Sequence, residues 1–322
     1  MVSSANIVIH ESQFPEPVRR DLLASLRRRQ VNHKFHYDSI KQTQKWLALH
    51  QQFSPSRHDA DCRRIYDHSF RAAVTAIGGR RVHVVGLGCG GGQKDTRLLT
   101  LLKRSGKQVS YTPCDVSAAM VLTARNASLS VLAEKDCFPV VCDLAAANDL
   151  RSLLVPRHPA LITFFGMIPN FEPQEILPKL ASLVKPSDVL LFSANLAPGT
   201  DYDRGMKKIL PQYDNSLTRD WLMTFLTDLG IEKNDGELRF DISPGKFGSK
   251  RVVARFHFRK RCPVSIDGRS FRFAPGQPIR LFFSYRYTPD RIETMLRGHG
   301  LKVQERWITG SQEEGAFLCR KR

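Results

Sequence analysis

The 322-residue sequence has no long apolar run, no internal repeat and no low-complexity tract. No stretch approaches the roughly 18 uninterrupted apolar residues that a membrane-spanning helix needs. The segment from Met1 to Phe14 lacks a basic start followed by an apolar centre, so we expect no signal peptide. With 42% hydrophobic and 25% charged residues, the composition is that of a globular chain and excludes a disordered one.

Cysteines are few, odd in number and never spaced as Cys-x-x-Cys. Such spacing indicates neither a disulfide framework nor a zinc site, and we expect no metal. It fits a reducing compartment, so the sequence predicts a cytoplasmic protein. The seven cysteines are Cys62, Cys89, Cys114, Cys137, Cys142, Cys262 and Cys319.

Basic residues exceed acidic ones by 49 to 31, which gives a net charge of +18 and a pI near 9.9. This charge is typical of a nucleic-acid binder, but it also fits an anionic small substrate or a requirement for solubility. The length indicates two domains or one enlarged α/β domain, at roughly 150 residues per domain.

The middle of the sequence alternates short apolar runs with helical segments. Val82 to Leu87 is apolar and ends in glycines, and a leucine-rich helix is predicted from Gln93 to Arg104. Alternation of this kind predicts parallel strands joined by helices, hence an α/β fold with a doubly wound, Rossmann-like sheet. The further predicted strands are Val109 to Thr112, Phe138 to Cys142, Ala160 to Phe165 and Val189 to Ala194.

After about residue 200 the pattern changes. Residues 251–261 alternate as a half-buried antiparallel strand does, and Asp267-Gly268 predicts a hairpin whose returning strand is Arg269 to Phe273. We therefore predict a second, discontinuous α+β domain for substrate binding, made of 1–62 and 201–286.

The remaining segments, 63–200 and 287–322, are predicted to form the main domain. A helix that begins at Thr288 and a terminal hairpin, Leu301 to Trp307 with Gly315 to Cys319, would complete its sheet.

A glycine-rich turn follows the first predicted strand, and Gly86, Gly88 and Gly91 satisfy the pattern Gly-x-Gly-x-x-Gly. Asp115 ends the second strand, where a ribose hydroxyl is usually held, and Asp143-Leu144 follows the third. Each aspartate alone could be a helix cap, but together they indicate one ligand crevice. A nicotinamide dinucleotide and S-adenosylmethionine both fit; the terminal hairpin favours the latter by analogy with methyltransferase sheets.

These residues resemble the histidine-specific S-adenosylmethionine-dependent methyltransferase family, whose best-known member trimethylates the α-amine of histidine. The similarity extends in order over nearly the whole chain. The matching segments are residues 34–38 (KFHYD), 53–57 (FSPSR), 88–94 (GCGGGQK), 97–99 (RLL), 112–117 (TPCDVS), 164–173 (FFGMIPNFEP), 213–214 (YD) and 279–288 (IRLFFSYRYT).

The resemblance implies a class I methyltransferase fold with S-adenosylmethionine as cofactor. It places the methionine end of the cofactor at Gly88 and Lys94, the ribose at Asp115, and the adenine at Asp143 and Leu144, with Gly90 as a further cofactor-binding residue. Tyr37 would close over the methyl donor. The residues implied in substrate binding are Gly166, Asn170, Tyr213 and Ser284, with Phe282 beside them.

Two departures from the family pattern bear on function. Phe282 stands where the family has the glutamate that binds the imidazole, which makes histidine a poor substrate. The change favours an apolar or aromatic side chain, or a substrate held in a different way. Gly86 stands where most methyltransferases have an acid, and the turn from Met167 to Asn170 is one residue shorter than in relatives.

The reaction expected is methylation of a neutral amine on a small amino acid or amino-acid derivative, with Tyr37 and Tyr213 orienting the amine as catalytic residues. Ordinary aromatic packing is the alternative role for both tyrosines. The alternatives for the protein are a nucleic-acid (RNA) methyltransferase, suggested by the charge, and an inactive cofactor-binding relative, suggested by Gly86 and Phe282. We expect a monomer with no membrane partner.

Overall fold

The computed structural model describes residues 5–154 and 158–322; the parts of the predicted domains at 1–4 and 155–157 lie outside the described residues. The chain divides into two compact units. The first unit consists of Met1–Gln13, Pro55–Leu196 and Tyr287–Arg322, and the second unit of Phe14–Ser54 and Ala197–Arg286.

The described residues form thirteen strands: β1 (Val8–Ile9), β2 (Arg81–Leu87), β3 (Gln108–Asp115), β4 (Val140–Val141), β5 (Ala160–Phe165), β6 (Val189–Asn195), β7 (Gly236–Pro244), β8 (Lys250–Phe258), β9 (Cys262–Ile266), β10 (Arg269–Phe273), β11 (Pro278–Arg286), β12 (Leu301–Ile308) and β13 (Glu314–Lys321). They also form eleven α-helices: α1 (Pro15–Arg28), α2 (Ile40–Phe53), α3 (Pro55–His58), α4 (Ala60–Ala76), α5 (Gln93–Arg104), α6 (Ala118–Ser128), α7 (Leu150–Leu154), α8 (Pro173–Leu183), α9 (Tyr202–Tyr213), α10 (Ser216–Asp228) and α11 (Pro289–Gly298).

The first unit is built on an eight-stranded sheet in the order β1-β4-β3-β2-β5-β6-β13-β12. The pairs from β1 to β6 are parallel, and β13 pairs antiparallel with both β6 and β12. The predicted doubly wound α/β sheet with a terminal hairpin is confirmed. Because the strand order reverses between β2 and β5, their carboxyl ends are the expected place for a ligand.

The second unit contains a three-stranded antiparallel sheet, β11-β8-β7, and a separate hairpin, β9-β10. The alternation predicted for 251–261 is confirmed over β8, where Val252, Ala254, Phe256 and Phe258 are buried. The returning strand β10 pairs with β9 rather than with β8, since the chain bends after Phe258. Asp267 and Gly268 both have positive φ, as a two-residue hairpin turn requires.

The boundaries of the two units differ from those expected. Residues 1–13 and 55–62 belong to the first unit, not to the second. The reason is pairing and packing: β1 extends the large sheet through Val8 opposite Val140, and α4 carries Cys62 into the core of the first unit. The roles assigned to the two domains, cofactor binding and substrate binding, stay predictions.

In residues 5–154 and 158–322, no helix is long and apolar enough to cross a membrane. Within the same residues, no group of three or more histidine, cysteine or acidic side chains is arranged to hold a metal ion. All seven cysteines are free thiols.

Candidate functional site

The glycine turn between β2 and α5 is closely packed, so that a side chain at Gly88 or Gly92 would overlap a neighbouring residue. Gly88 has a φ of 64°, and a Cβ there would overlap the thioether of Met167. The amides of Gly88 and Cys89 donate to the carbonyl of Cys114, at 2.8 and 3.1 Å. The turn therefore offers bare backbone at the carboxyl end of the sheet, which is the surface that a nucleotide-like ligand needs.

Asp115 joins this turn to the end of β3. Its Oδ2 accepts the amide proton of Gly90 at 3.1 Å, and its Oδ1 accepts that of Ser117 at 3.0 Å. Burial raises the pKa of the Asp115 carboxyl. The structure thus brings together Gly88, Gly90 and Asp115, and a carboxylate beside exposed glycine backbone fits a ribose with its hydroxyl donors.

Asp143 follows β4 and is buried. Its Oδ1 accepts the amide protons of Ala145 and Ala146, at 2.9 and 3.4 Å, and its own amide donates to Ser12 Oγ at 3.0 Å. These bonds close a turn over residues 144–146; no helix begins there, since α7 starts at Leu150, so the helix-cap alternative is not what the structure shows for Asp143. Leu144 beside it is buried, and the adenine contact implied for this pair stays a prediction.

Lys94 lies on the first turn of α5. Its Nζ donates to the hydroxyl of Tyr66 at 2.8 Å and lies 4.0 Å from the centre of the Tyr66 ring. Gly166, at the end of β5 with a φ of 66°, donates its amide proton to Ser193 Oγ at 2.9 Å. Asn170 ends the short 3₁₀ helix Ile168–Asn170 of the same unit, where its amide donates to the Met167 carbonyl at 3.0 Å.

Gly86 is explained by its neighbour on α5. A Cβ at this position would overlap Asp95 Oδ2 and would lie 3.0 Å from Tyr111 Oη. The Asp95 carboxylate is buried there and accepts hydroxyl protons from Tyr111 at 2.7 Å and from Thr163 at 2.8 Å. The acid beside this position is therefore Asp95 of helix α5, whereas most methyltransferases have an acid on the strand at the position of Gly86.

The second unit groups Tyr213 with three residues of β11. Tyr213 Oη donates to Ser284 Oγ at 2.8 Å and accepts from Arg286 Nε at 3.0 Å, and its ring centre is 6.3 Å from that of Phe282. Because all three partners touch one tyrosine, they share one face of the strand, as the spacing of two residues requires. The sequence reasoning missed Arg286, although this alternation from Phe282 was the signal that could have found it.

Phe282 is buried among rings. Its ring centre lies 5.1 Å from that of His33 and 5.7 Å from that of Trp221. Tyr37 belongs to the same set, with ring centres 5.5 Å from Trp221 and 6.0 Å from Trp46. The aromatic packing considered for Tyr37 is therefore present in the structure, and its contact with the methyl donor stays a prediction.

Two histidines in this set are held neutral. His33 Nε2 contacts the Phe283 carbonyl at 3.1 Å, and His36 Nε2 contacts the Leu281 carbonyl at 2.7 Å. Burial lowers the pKa of His33 to about 3, with a further lowering from His36, and burial lowers the pKa of His36 to about 4. Hence the side of Phe282 that faces His33 and Trp221 is aromatic and uncharged near neutral pH, whereas the cation Arg286 bonds the neighbouring Tyr213.

Some basic side chains of the segment 251–261 pair with acids of the same unit. Arg259 pairs with Glu237 at 3.1 Å, and Lys260 pairs with Asp235 at 2.5 Å. A nucleic-acid groove needs cations free to meet phosphates. The pairing therefore reduces the positive charge that this segment offers to phosphates, which argues against RNA as a partner.

Comparisons with known proteins agree with these features. A model of histidine-specific, S-adenosylmethionine-dependent methyltransferases matches residues 18–321. The N-methyltransferase imqF of Aspergillus flavus is 24% identical over 279 residues, which cover 83% of this chain and 73% of that protein.

Similar solved structures include the magnesium protoporphyrin IX methyltransferase ChlM from Synechocystis, with a TM-score of 0.45 and 14% identity over 88% of this chain and 95% of that chain. Another is the glycopeptide N-methyltransferase MtfA, with a TM-score of 0.40 and 15% identity over 80% and 94% of the two chains. Since the family model spans nearly the whole sequence, the family and cofactor implied by the resemblance are confirmed. The chain belongs to the histidine-specific, S-adenosylmethionine-dependent methyltransferase family and is a methyltransferase that uses S-adenosylmethionine.

Proposed function

We propose that this enzyme methylates the amine of a small amino acid or amino-acid derivative whose side chain is apolar or aromatic, rather than histidine. The observation that carries the proposal is Phe282, buried against Trp221 and the uncharged His33. An imidazole N–H placed there would lose water and gain no carboxylate from residue 282, whereas an apolar ring would be stabilised by burial. The N-methyltransferase name of the Aspergillus flavus relative supports an amine as acceptor.

Tyr213, Ser284 and Arg286 form a polar row beside Phe282, and this row supports a substrate that carries a carboxylate. Arg286 is the cation of this row, and its guanidinium carbon lies 5.4 Å from the centre of the Tyr213 ring. A guanidinium with a neighbouring phenol and the Ser284 hydroxyl is a donor set suited to a carboxylate. Following the family resemblance, we assign the substrate's α-carboxylate and amine to Tyr213 and Asn170, and Gly166 to substrate binding.

The protein's part in the reaction is to bind, orient and exclude water. Bound S-adenosylmethionine supplies an electrophilic methyl group on its sulfonium. Gly88, Gly90 and Asp115 would hold it, with Lys94 at its methionine end. A protonated amine has no free electron pair, so its proton must leave to solvent or a nearby acceptor before attack, and Tyr37 and Tyr213 orient the neutral amine.

Two further expectations belong to this proposal. The seven free thiols are compatible with a reducing compartment, and we propose the cytoplasm. We also propose that the enzyme acts on a free small molecule, because two cations of the strand considered for RNA are paired with acids. A monomer is the oligomeric state that we propose.

The test is a screen of amino acids and biogenic amines with S-adenosylmethionine, reading product masses. We expect methylated products from aromatic or apolar amino acids and little from histidine. Activity on histidine alone would overturn the argument from Phe282. Cofactor binding without any product would select the inactive relative, and salt-sensitive binding of RNA would select the nucleic-acid enzyme.

Phe282→Glu sharpens the same test, because it restores the family's acid. We expect activity on histidine to rise at least tenfold relative to that on the preferred substrate. Phe283→Glu is the matched control: it adds the same charge one residue along, where Arg251 and Arg280 lie 5.0 Å from the ring centre. The control should not shift the preference toward histidine.

A further inference from the structure

A chain of hydrogen bonds runs through the core of the first unit, from Gly166 to Glu314. The Gly166 amide donates to Ser193 Oγ at 2.9 Å, and Ser193 Oγ lies 2.9 Å from Tyr66 Oη. Tyr66 in turn bonds Glu314 Oε1. Gly166 directly follows β5, and the other three residues come from β6, α4 and β13; no sequence motif connects the four.

The direction of the protons follows from the groups involved. A carboxylate only accepts, so the single hydroxyl proton of Tyr66 points to Glu314, and Ser193 donates to the Tyr66 oxygen. Burial, followed by the charge of Glu314, raises the pKa of the Tyr66 phenol, so it stays a donor. The second oxygen of Glu314 accepts from the Cys62 thiol at 3.3 Å. Both oxygens of the buried carboxylate are thus satisfied.

Lys94 joins the chain at Tyr66. Its Nζ donates to Tyr66 Oη at 2.8 Å and lies 3.8 Å from Glu314 Oε1. The Lys94 side chain is 23% exposed, so it reaches from this buried network to the surface. A lysine side chain has four rotatable bonds and samples many conformations unless contacts restrict it. Here a phenol oxygen, an aromatic face and a carboxylate fix where the ammonium lies.

We propose that Tyr66 and Glu314 are positioning residues that hold the Lys94 ammonium for the carboxylate of the cofactor's amino-acid part. The inference rests on the proposed role of Lys94 at the methionine end of the cofactor. Glu314 acts through its charge and Tyr66 through its hydroxyl oxygen, and neither touches the reacting atoms. The same chain ties Lys94 to Gly166, so one network links two of the predicted site residues.

The test compares two ligands that share adenosine and sulfur. S-adenosylhomocysteine carries the amino-acid carboxylate, and 5′-methylthioadenosine lacks it. Tyr66→Phe should weaken S-adenosylhomocysteine binding about tenfold, the effect of one charge-assisted hydrogen bond, and should change 5′-methylthioadenosine binding less than twofold, by calorimetry. Glu314→Gln keeps an acceptor for Tyr66 and should show the same selectivity with a smaller loss.

Tyr111→Phe is the matched control, since Tyr111 is another buried tyrosine that donates to a carboxylate in the first unit. It lacks contact with Lys94, so the ratio of the two dissociation constants should not change. Equal losses for both ligands in Tyr66→Phe, or no loss, would overturn the positioning role. Lys94→Gln separates this result from the proposed function: if Lys94→Gln binds S-adenosylhomocysteine normally, the assignment of Lys94 itself fails, and the positioning role fails with it.

Discussion

The buried carboxylates of the first unit and the buried histidines around Phe282 in the second unit are held in different ways. In the first unit, buried carboxylates are satisfied by hydroxyl or backbone donors: Asp95 by Tyr111 and Thr163, and Asp188 by the amides of Ala160 and Lys185. In the second unit, the histidines around Phe282 are kept neutral and face rings. A surface of fixed donors and acceptors suits a charged, polar ligand, and an uncharged aromatic one suits an apolar side chain.

Acid should have the largest effect on the second unit, because its two histidines stay neutral in the folded chain and become protonated in the unfolded chain. Their folded-state pKa values, about 3 for His33 and about 4 for His36, lie below the ordinary 6.5. The unfolded chain therefore takes up protons first, and stability that is present above pH 6.5 is lost as pH falls below it. Between pH 6.5 and 4.5 the two groups should cost about 4 kcal/mol.

Urea unfolding of Trp307→Phe, followed by fluorescence at both pH values, measures this loss. Trp307 belongs to the first unit, so the remaining Trp46 and Trp221 report on the second. Replacing His36 by Gln should roughly halve the loss. In the first unit, burial lowers the pKa of His83 to about 4, and His83→Gln should leave the signal from the second unit unaffected. A pH-independent midpoint would contradict the neutral histidines.

Gly86→Ala tests how tightly the first unit packs its carboxylates. The added methyl group would overlap Asp95 Oδ2, so we expect the free energy of unfolding to fall by about 2 kcal/mol. Gly78→Ala is the control, since a Cβ there has no atom within 4 Å. Combining Gly86→Ala with Asp95→Ala should cost less than the sum of the single changes. Strict additivity in urea titrations would show that the two positions do not compete for space.

Tyr213→Phe should have the smallest effect and tests the polar row of the second unit. Loss of the hydroxyl that joins Arg286 to Ser284 should raise the substrate KM about fivefold, or roughly 1 kcal/mol, with little change in cofactor affinity. Tyr202→Phe, on the same helix, removes a hydroxyl bonded to the Arg286 carbonyl and the Lys250 amide, and should affect stability instead. Equal losses of substrate and cofactor binding in Tyr213→Phe would refute its assignment to the substrate.

The first unit was the more predictable of the two because its strands are buried on both faces. Apolar runs followed by glycine mark β2 and β5, and β3 is a mostly buried segment that ends in Asp115. By contrast, β1 has two residues, too few to form a pattern, and β7 and α2 were not predicted. Helix α2 had one local signal, the N-cap Ser39, whose side chain accepts from the Gln42 amide.

The candidate site divides in the same way. Gly88, Gly90 and Asp115 follow or end strands that the sequence pattern predicts. The structure brings these three residues together. Tyr66 and Glu314 could not be found, because one lies in mid-helix and the other starts a strand 248 residues later. Only the pairing of β13 with β6, which sets Glu314 opposite Asn195, places them in one network.

The position of β13 has a consequence for how the chain folds during synthesis. This strand follows every other strand in the sequence, yet it is internal in the large sheet, hydrogen-bonded to β6 on one side and to β12 on the other. Until residues 314–321 leave the ribosome, β6 has an exposed apolar edge that can pair with another chain. Nascent chains that stall before this strand are therefore expected to aggregate and to need chaperones, whereas pairing with β13 covers this edge of β6.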